Sequence, residues 1–326
     1  MTESEPARDA IGIEPGRRTS RFPRLARLGP WLVAAGILAF VLARVPIDDF
    51  TAALSRVSAW RLIALSVGFV FAMLAADSLA VWLAVRAALT ESRLSYGAVL
   101  RIRGTSYLLA LVNYAAGQGG VVYLMHRHYN LPVSAGTGAV LLATSAFLVA
   151  VALAVGFGLL SGAIPDRTEI NVAAIGLLAA AAAYLIIVKW RPAVLARSRW
   201  LAPFFTAGIW GTLRVIAART VHLTVLLAGH ITAMLLFGIE VPISVAAAGL
   251  PVLFFVATLP ISPAGLGTTQ AAAVTLFASF APGANDSAQQ AAVLAYSLAF
   301  QIAGTLVAAV VGVVCLRSLQ AAREDG

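Results

Sequence analysis

The sequence predicts an all-α polytopic membrane protein, with six full transmembrane helices and two broken or re-entrant helical hairpins in an inverted repeat. Three observations predict it. Of the 326 residues, 60% are hydrophobic and 11% are charged, which leaves too little polar surface to coat a soluble globule. The apolar stretches run to roughly 20 residues, the length that carries an α-helix across a hydrocarbon core, and not to the short alternating segments of a barrel. Two glycine-rich interruptions sit at related places, Asn113-Tyr114-Ala115-Ala116-Gly117-Gln118-Gly119-Gly120 and Pro260-Ile261-Ser262-Pro263-Ala264-Gly265-Leu266-Gly267. Backbone that leaves helical pairing at membrane depth survives only where protein or a wet cavity covers it. A matched pair of such breaks in two halves of a chain is the mark of a carrier with a central site.

Taken in order, residues 1–29 are rich in Arg, Glu, Pro and Gly, a composition that buries too little apolar area to fold, so a disordered basic cytoplasmic tail is expected. Its long charged stretch, with no small-residue cleavage site after the apolar run, is unlike a secretory signal. Full spans are expected at 30–45, 61–86, 133–160, 170–188, 220–239 and 289–316, and the regions 104–131 and 242–282 carry the breaks. The arms around the first break hold about 13 residues each, or about 20 Å against a core of about 30 Å, which predicts a hairpin that enters and leaves by one face. In the second region the arm at 242–259 is long enough to cross while that at 268–281 is short. A hairpin and two complete helices are both open there. Within a cytoplasmic interfacial connection at 190–219, the stretch from Arg199 to Arg219 mixes Trp200, Phe204, Phe205 and Trp210 with Arg214 and Arg219, which predicts a helix lying in the inner interface. Residues 317–326 form a second cytoplasmic tail.

Basic residues mark cytoplasmic flanks. They gather in the N-terminal tail, at Arg86, Arg93, Arg101 and Arg103, and at Lys189, Arg191, Arg197, Arg199, Arg214 and Arg219; the connections holding Asp48 and Asp49, Asp166 and Glu169, and Glu240 and Asp286 are poor in them. Alternation of the two kinds of flank puts both termini in the cytoplasm of a cell with an inner membrane. It also makes residues 30–160 and 161–316 two repeats of opposite orientation. Leu131-Pro132-Val133-Ser134 and Val241-Pro242-Ile243-Ser244 echo each other, both placing proline at a helix start, where its missing N–H costs nothing. The net charge of +9 and pI near 10.6 follow from these flanks, so no nucleic-acid partner is expected. A lone Cys315 inside the last apolar run excludes an intrachain disulfide and a cysteine metal cluster, and no cofactor or metal is expected.

Catalytic constellations are sparse. His126 and His128 flank Arg127 without further ligands nearby, a pattern suited to solvation or lipid headgroups. His222 and His230 share one face of a span, where interhelical hydrogen bonding or proton relay would employ them. Asp77, well inside the second span, is a functional candidate by default. It would pair with Arg101 or Arg103, or stay protonated and donate to a carbonyl. Gln270, Gln301 and Asn113 are uncharged polar groups at membrane depth. The glycines allow either close helix contact or a ligand's approach. The candidate substrate site is Asn113, Gly117, Gln118, Gly119, Gly120, Pro260, Ser262, Gly265, Gly267, Thr268, Thr269 and Gln270, with Asp77, Arg101, Arg103 and Arg127 acting electrostatically.

The run from Asn113 to Val121, with Arg127 and Leu131-Pro132-Val133-Ser134, resembles the first signature of the lysylphosphatidylglycerol synthase transmembrane-region family of flippase-like membrane proteins. Leu259-Pro260-Ile261-Ser262-Pro263-Ala264-Gly265-Leu266-Gly267-Thr268-Thr269-Gln270-Ala271-Ala272 is similar to the second. The resemblance spans most of residues 30–316. It implies a lipid flippase-like carrier that acts on a phospholipid or lipid-linked intermediate, with membrane lipids as partners. Where the family places Glu after Gly-Leu-Gly this chain has Gln270, and around the first turn it has Gln118 and Gly120 with no carboxylate. The second span offers Asp77 and Trp82 in place of an Arg-Trp pair. If the family's acidic groups handle cationic headgroups or protons, this chain lacks both at those places. A neutral site with amide donors and acceptors would suit a different headgroup, or one whose charge Arg103 or Arg127 meets. Two other functions stay open: a secondary transporter of a small soluble solute, and a scaffold or accessory subunit of a separately encoded synthase or glycosyltransferase. An enzyme acting alone is not expected, since no nucleophile, base and oxyanion-donor set assembles from these residues. No residue pattern specifies an oligomeric state.

Overall fold

A computed structural model describes residues 46–89, 94–112, 114–160, 168–198, 200–258 and 265–324. The expected first span at 30–45 and the N-terminal tail lie outside these residues, as do Asn113, Pro260 and Ser262. Every regular element among the described residues is helical. Helix α1 (Ile47–Ser55) carries Asp48 and Asp49 in its first turn, where carboxylates meet the positive end of the helix dipole. Helix α2 (Ala59–Ala88) follows directly. Ser95 caps α3 (Tyr96–Ala110), its hydroxyl accepting from the Ala98 N–H at 3.2 Å. Helix α4 (Tyr114–Tyr129) ends with His126, Arg127 and His128 in its last turn, beside the carbonyl end of the dipole. After Asn130, in the left-handed region at φ 51°, Pro132 precedes α5 (Val133–Leu160).

The second half holds α6 (Thr168–Trp190), the single turn α7 (Ala193–Ala196) and the long α8 (Ala202–Leu236). Helices α9 (Ile243–Thr258) and α10 (Thr268–Phe277) come next, and α11 (Asp286–Glu324) closes the chain. Asn285 caps α11, its Oδ1 accepting from the Ala288 N–H at 2.8 Å.

Four of these helices are long and apolar enough to cross a bilayer: Ala59–Ala88, Val133–Gly158, Ala202–Leu236 and Asp286–Ala321. They correspond to the expected spans at 61–86, 133–160, 220–239 and 289–316. The span expected at 170–188 falls within α6, a helix of 23 residues. Around the breaks the helices are short. At 1.5 Å per residue α3 and α4 reach about 22 and 24 Å, α9 about 24 Å and α10 about 15 Å, against a core of about 30 Å.

Two expectations need correction. The glycine run 117–120 is not itself the break: the chain leaves the helix at Leu111 and Val112, and Gly117, Gly119 and Gly120 are helical. Gly117 and Gly120 serve packing between the two arms. A Cβ on Gly117 would stand 2.8 Å from the Ala110 Cβ, and one on Gly120 2.4 Å from a Leu109 methyl. Nor is 190–219 an interfacial segment throughout. Helix α8 begins at Ala202 and turns a corner at Gly208, whose φ of 60° and ψ of −175° are non-helical. From there it runs unbroken to Leu236, which carries Arg219 into the helix interior.

Helix α2 packs along α8, α5 lies against both, and α11 lies against α3. Their apolar faces make two large clusters at different heights. One gathers Val81, Ala84 and Val85 of α2, Ala139 to Ala146 of α5, and Val215 and Ile216 of α8. The other gathers Ala150 and Val151 of α5, Leu223 to Met234 of α8, Phe277 of α10 and Tyr296 of α11. Asp77 on α2 and Arg219 on α8 fall between the two clusters along their own helices.

Candidate functional site

Helical spacing brings the site together. Phe69, Met73 and Asp77 on α2 recur every fourth residue; Arg103, Ser106, Tyr107 and Ala110 follow on α3; Arg219, His222, Leu226 and His230 on α8; and Ser297, Gln301, Gly304 and Ala308 on α11. Intervals of three and four put each set on one face of its helix. All of these residues line one cavity of about 420 Å³. The first broken region adds Leu111, Tyr114, Gly117 and Gln118, the second Leu253, Phe254, Ala257, Thr269 and Gln270.

The polar lining falls into two groups. In the first, Asp77 is 2% exposed and accepts from two guanidiniums, Arg103 Nη2 at Oδ2 and Arg219 Nη1 at Oδ1. A carboxylate withdrawn from water this far is tolerable only when paired, and here the pairing is double. Arg219 Nε also donates to the Ala143 carbonyl at 3.0 Å, and its guanidinium lies 6.0 Å from the centre of the Phe147 ring. Gln118 Oε1 accepts a long bond from Arg103 Nη1 at 3.4 Å. His222 packs edge-on to Phe147.

The second group has no charge. Gln270 is fully buried; its Oε1 accepts from the Gly267 N–H at 2.6 Å, and its Nε2 donates to Gln301 Oε1 at 2.6 Å. Thr268 and Thr269 hydroxyls donate to the Gly265 carbonyl at 3.0 and 2.8 Å. Gly265 and Gly267 hold φ of 73° and 83°, a region that side-chain-bearing residues avoid. Gln270 thus closes the turn it follows, as a residue three positions into a helix does when it reaches back to the cap. Beyond these amides His230 sits among Phe69, Phe254, Tyr296 and Phe300, with Nδ1 2.6 Å from the Tyr296 hydroxyl.

Of the sequence candidates, Gly117, Gln118, Thr269, Gln270, Asp77 and Arg103 line the cavity. Gly265, Gly267 and Thr268 stand behind it in the turn, Gly120 is packed between the arms, and Gly119 has open space where a Cβ would be. Arg127 is exposed on the last turn of α4 and does not line the cavity. The sequence offers Arg101 or Arg103 as the partner of Asp77; the carboxylate is met by Arg103, and by Arg219 as well. Arg219 was missed as a site residue because it directly precedes the apolar run at 220–239 and so reads as a flank charge. The 219, 222, 226, 230 spacing was the signal that joins it to the span.

A multi-pass helical membrane protein, with one cavity between helices and ion pairs buried beside it, is the class that this fold and lining define. The chain belongs to the family described as the lysylphosphatidylglycerol synthase TM region, whose model matches residues 28–312. That family is flippase-like, and it is the one the two glycine-rich signatures resemble. None of the curated proteins compared with the chain matches it.

Proposed function

We propose that the protein is a lipid flippase-like carrier, which moves a phospholipid or lipid-linked intermediate across the inner membrane. The observation that carries this reading is the cavity lined by both broken regions. A polar headgroup cannot cross hydrocarbon unaided, and here Asp77, Arg103, Arg219, Gln118 and Gln270 offer it polar contacts partway along the long helices. The rest of the lining is aliphatic and aromatic, Phe69, Met73, Leu226, Leu253, Phe254 and Phe300 among them. That surface suits a cargo with apolar chains better than a free, soluble solute. Tyr114, Gly304 and Thr305 line the cavity and are only half-buried or exposed, which supports a mouth toward lipid between α4 and α11.

In this reading α3 with α4, and α9 with α10, are the two re-entrant hairpins of an inverted repeat, entering from opposite faces, with six full spans around them and both termini cytoplasmic. The short helices support it, since none of the four reaches across a core of about 30 Å. Reconstitution of the full chain in liposomes, with acyl-labelled phospholipids and a membrane-impermeant quencher, tests the function. Transport above protein-free vesicles is expected, slowed in Gln118→Ala and in Gln270→Ala. Unchanged transport in both variants would remove the two broken regions from the path.

A further inference from the structure

The buried ion cluster holds more positive charge than negative. Arg103 and Arg219 share the single carboxylate of Asp77, so one net positive charge remains before any proton on His222 is counted. Among the described residues Asp77 is the only acid that lines the cavity. The other acids with described side chains, Asp48, Asp49, Glu240 and Asp286, belong to helix ends and connections. A surplus charge away from water is costly without a counter-ion.

The hydrogen-bonding inventory has the same sign. Among the described residues, three that line the cavity hold a buried polar atom without a protein partner: Arg103 Nε, Tyr107 Oη and His222 Nδ1. Arg103 is 93% and His222 95% buried, being 7% and 5% exposed. Tyr107 lies four residues from Arg103 on α3, and His222 three from Arg219 on α8, so each pair shares a face. A guanidinium Nε–H and a phenol O–H can donate, and a neutral imidazole donates from one of its two nitrogens. A group rich in acceptors would satisfy all three, and an anionic one would also balance the surplus charge. Phosphate has both properties, and guanidinium is the side chain whose planar donors match it.

We propose that the cavity seats an anionic, phosphate-bearing group against Arg103 and Arg219, and that the protein moves net-anionic phospholipids in preference to zwitterionic or cationic ones. The preference rests on the carrier reading above. A volume of about 420 Å³ lies within the range of small-molecule sites. It fits a headgroup and leaves the acyl chains in the bilayer, beyond Tyr114 and Gly304.

The test uses the full chain in phosphatidylcholine liposomes, with acyl-labelled phosphatidylglycerol, phosphatidylcholine and lysylphosphatidylglycerol as probes and their natural headgroups intact. Phosphatidylglycerol is expected to move at least about tenfold faster than the other two, with the advantage lost in Arg219→Gln and in Arg103→Gln. Inorganic phosphate, titrated onto the protein in neutral nanodiscs, separates a lipid headgroup from the free ion as the source of the anion. Equal rates for the three lipids would overturn the anion preference and leave the carrier reading standing. Phosphate binding that depends on Arg219, with no lipid movement, would uphold the anion site and overturn its lipid use. Neither movement nor binding would overturn both. The comparison among lipids needs only the wild-type chain, so a variant that fails to fold does not blunt it.

Discussion

The two broken regions solve one problem by opposite means. Around the first, α3 and α4 are drawn together by glycines, and the polar side chains they bring to the cavity include Arg103 and Gln118, tied to a charge cluster that reaches four helices. Around the second, α10 is held to its turn by neutral groups only, Gln270 binding back to Gly267 and across to Gln301. The difference teaches that an amide can secure a backbone turn at membrane depth locally, whereas a guanidinium at the same depth needs a counter-charge from another helix. One side of the cavity is thus organised by long-range pairing and the other by local closure.

The sharpest way to break this contrast is Asp77→Ala. Removing the carboxylate strands two buried guanidiniums, and loss of one partner of a buried pair costs about 3–5 kcal/mol. Thermal unfolding in detergent should show a large fall in Tm or no folded protein at all. A Tm equal to wild type would mean that the charges are not held by each other. Next in size is Gln270→Ala, which leaves the buried Gly267 N–H without its acceptor and removes the donor to Gln301; a buried unsatisfied group costs about 1–3 kcal/mol. Gln118→Ala removes only a long bond at 3.4 Å from a half-buried side chain, and about 0.6 kcal/mol is expected, the mean for polar contacts between membrane helices. If the two glutamine variants melt together, local closure by Gln270 is not what distinguishes the second region.

The glycines of the first region give a finer measure. Gly117→Ala places a methyl against the Ala110 Cβ and Cα at 2.8 and 3.2 Å, and overpacking of that kind costs about 1–3 kcal/mol. The double variant Gly117→Ala with Ala110→Gly should recover much of the loss, as measured by the same melting curve. Smallest is Gly119→Ala, which meets nothing within 4 Å. Helix propensity alone then acts, and a gain of up to about 1 kcal/mol is expected. Destabilisation there would show that α4 packs more closely than its neighbours indicate.

Helix class, the four long spans and the short arms were legible because apolar length is a one-dimensional property. The limits of α8 were not. Aromatic and basic residues from 199 to 219 look interfacial by composition, while the entry of Arg219 into the span depends on its finding Asp77, 142 residues away along the chain. The glycine run misled in a related way: its composition marks a place where helices approach, and whether the chain breaks there depends on which neighbour arrives. Asp77 and Gln270 were identifiable as polar residues at depth and Gln118 as part of the first break, whereas Arg103 reads as a basic flank able to pair with Asp77. Their division into a charged and an uncharged group was not legible, since Gln118 and Gln270 differ only in what folds against them.

The shared carboxylate has a mechanical side as well. Asp77 on α2, Arg103 on α3 and Arg219 on α8 are knotted through one carboxyl group, and Arg219 ties in α5 through the Ala143 carbonyl. Three of those helices come from the first half of the chain and one from the second, so the knot ties the two halves together. A movement that separated the halves as rigid blocks would have to pull it apart. The compliant joint is therefore expected along α9, α10 and α11, where hydrogen bonds between neutral groups can part and re-form without stranding a charge.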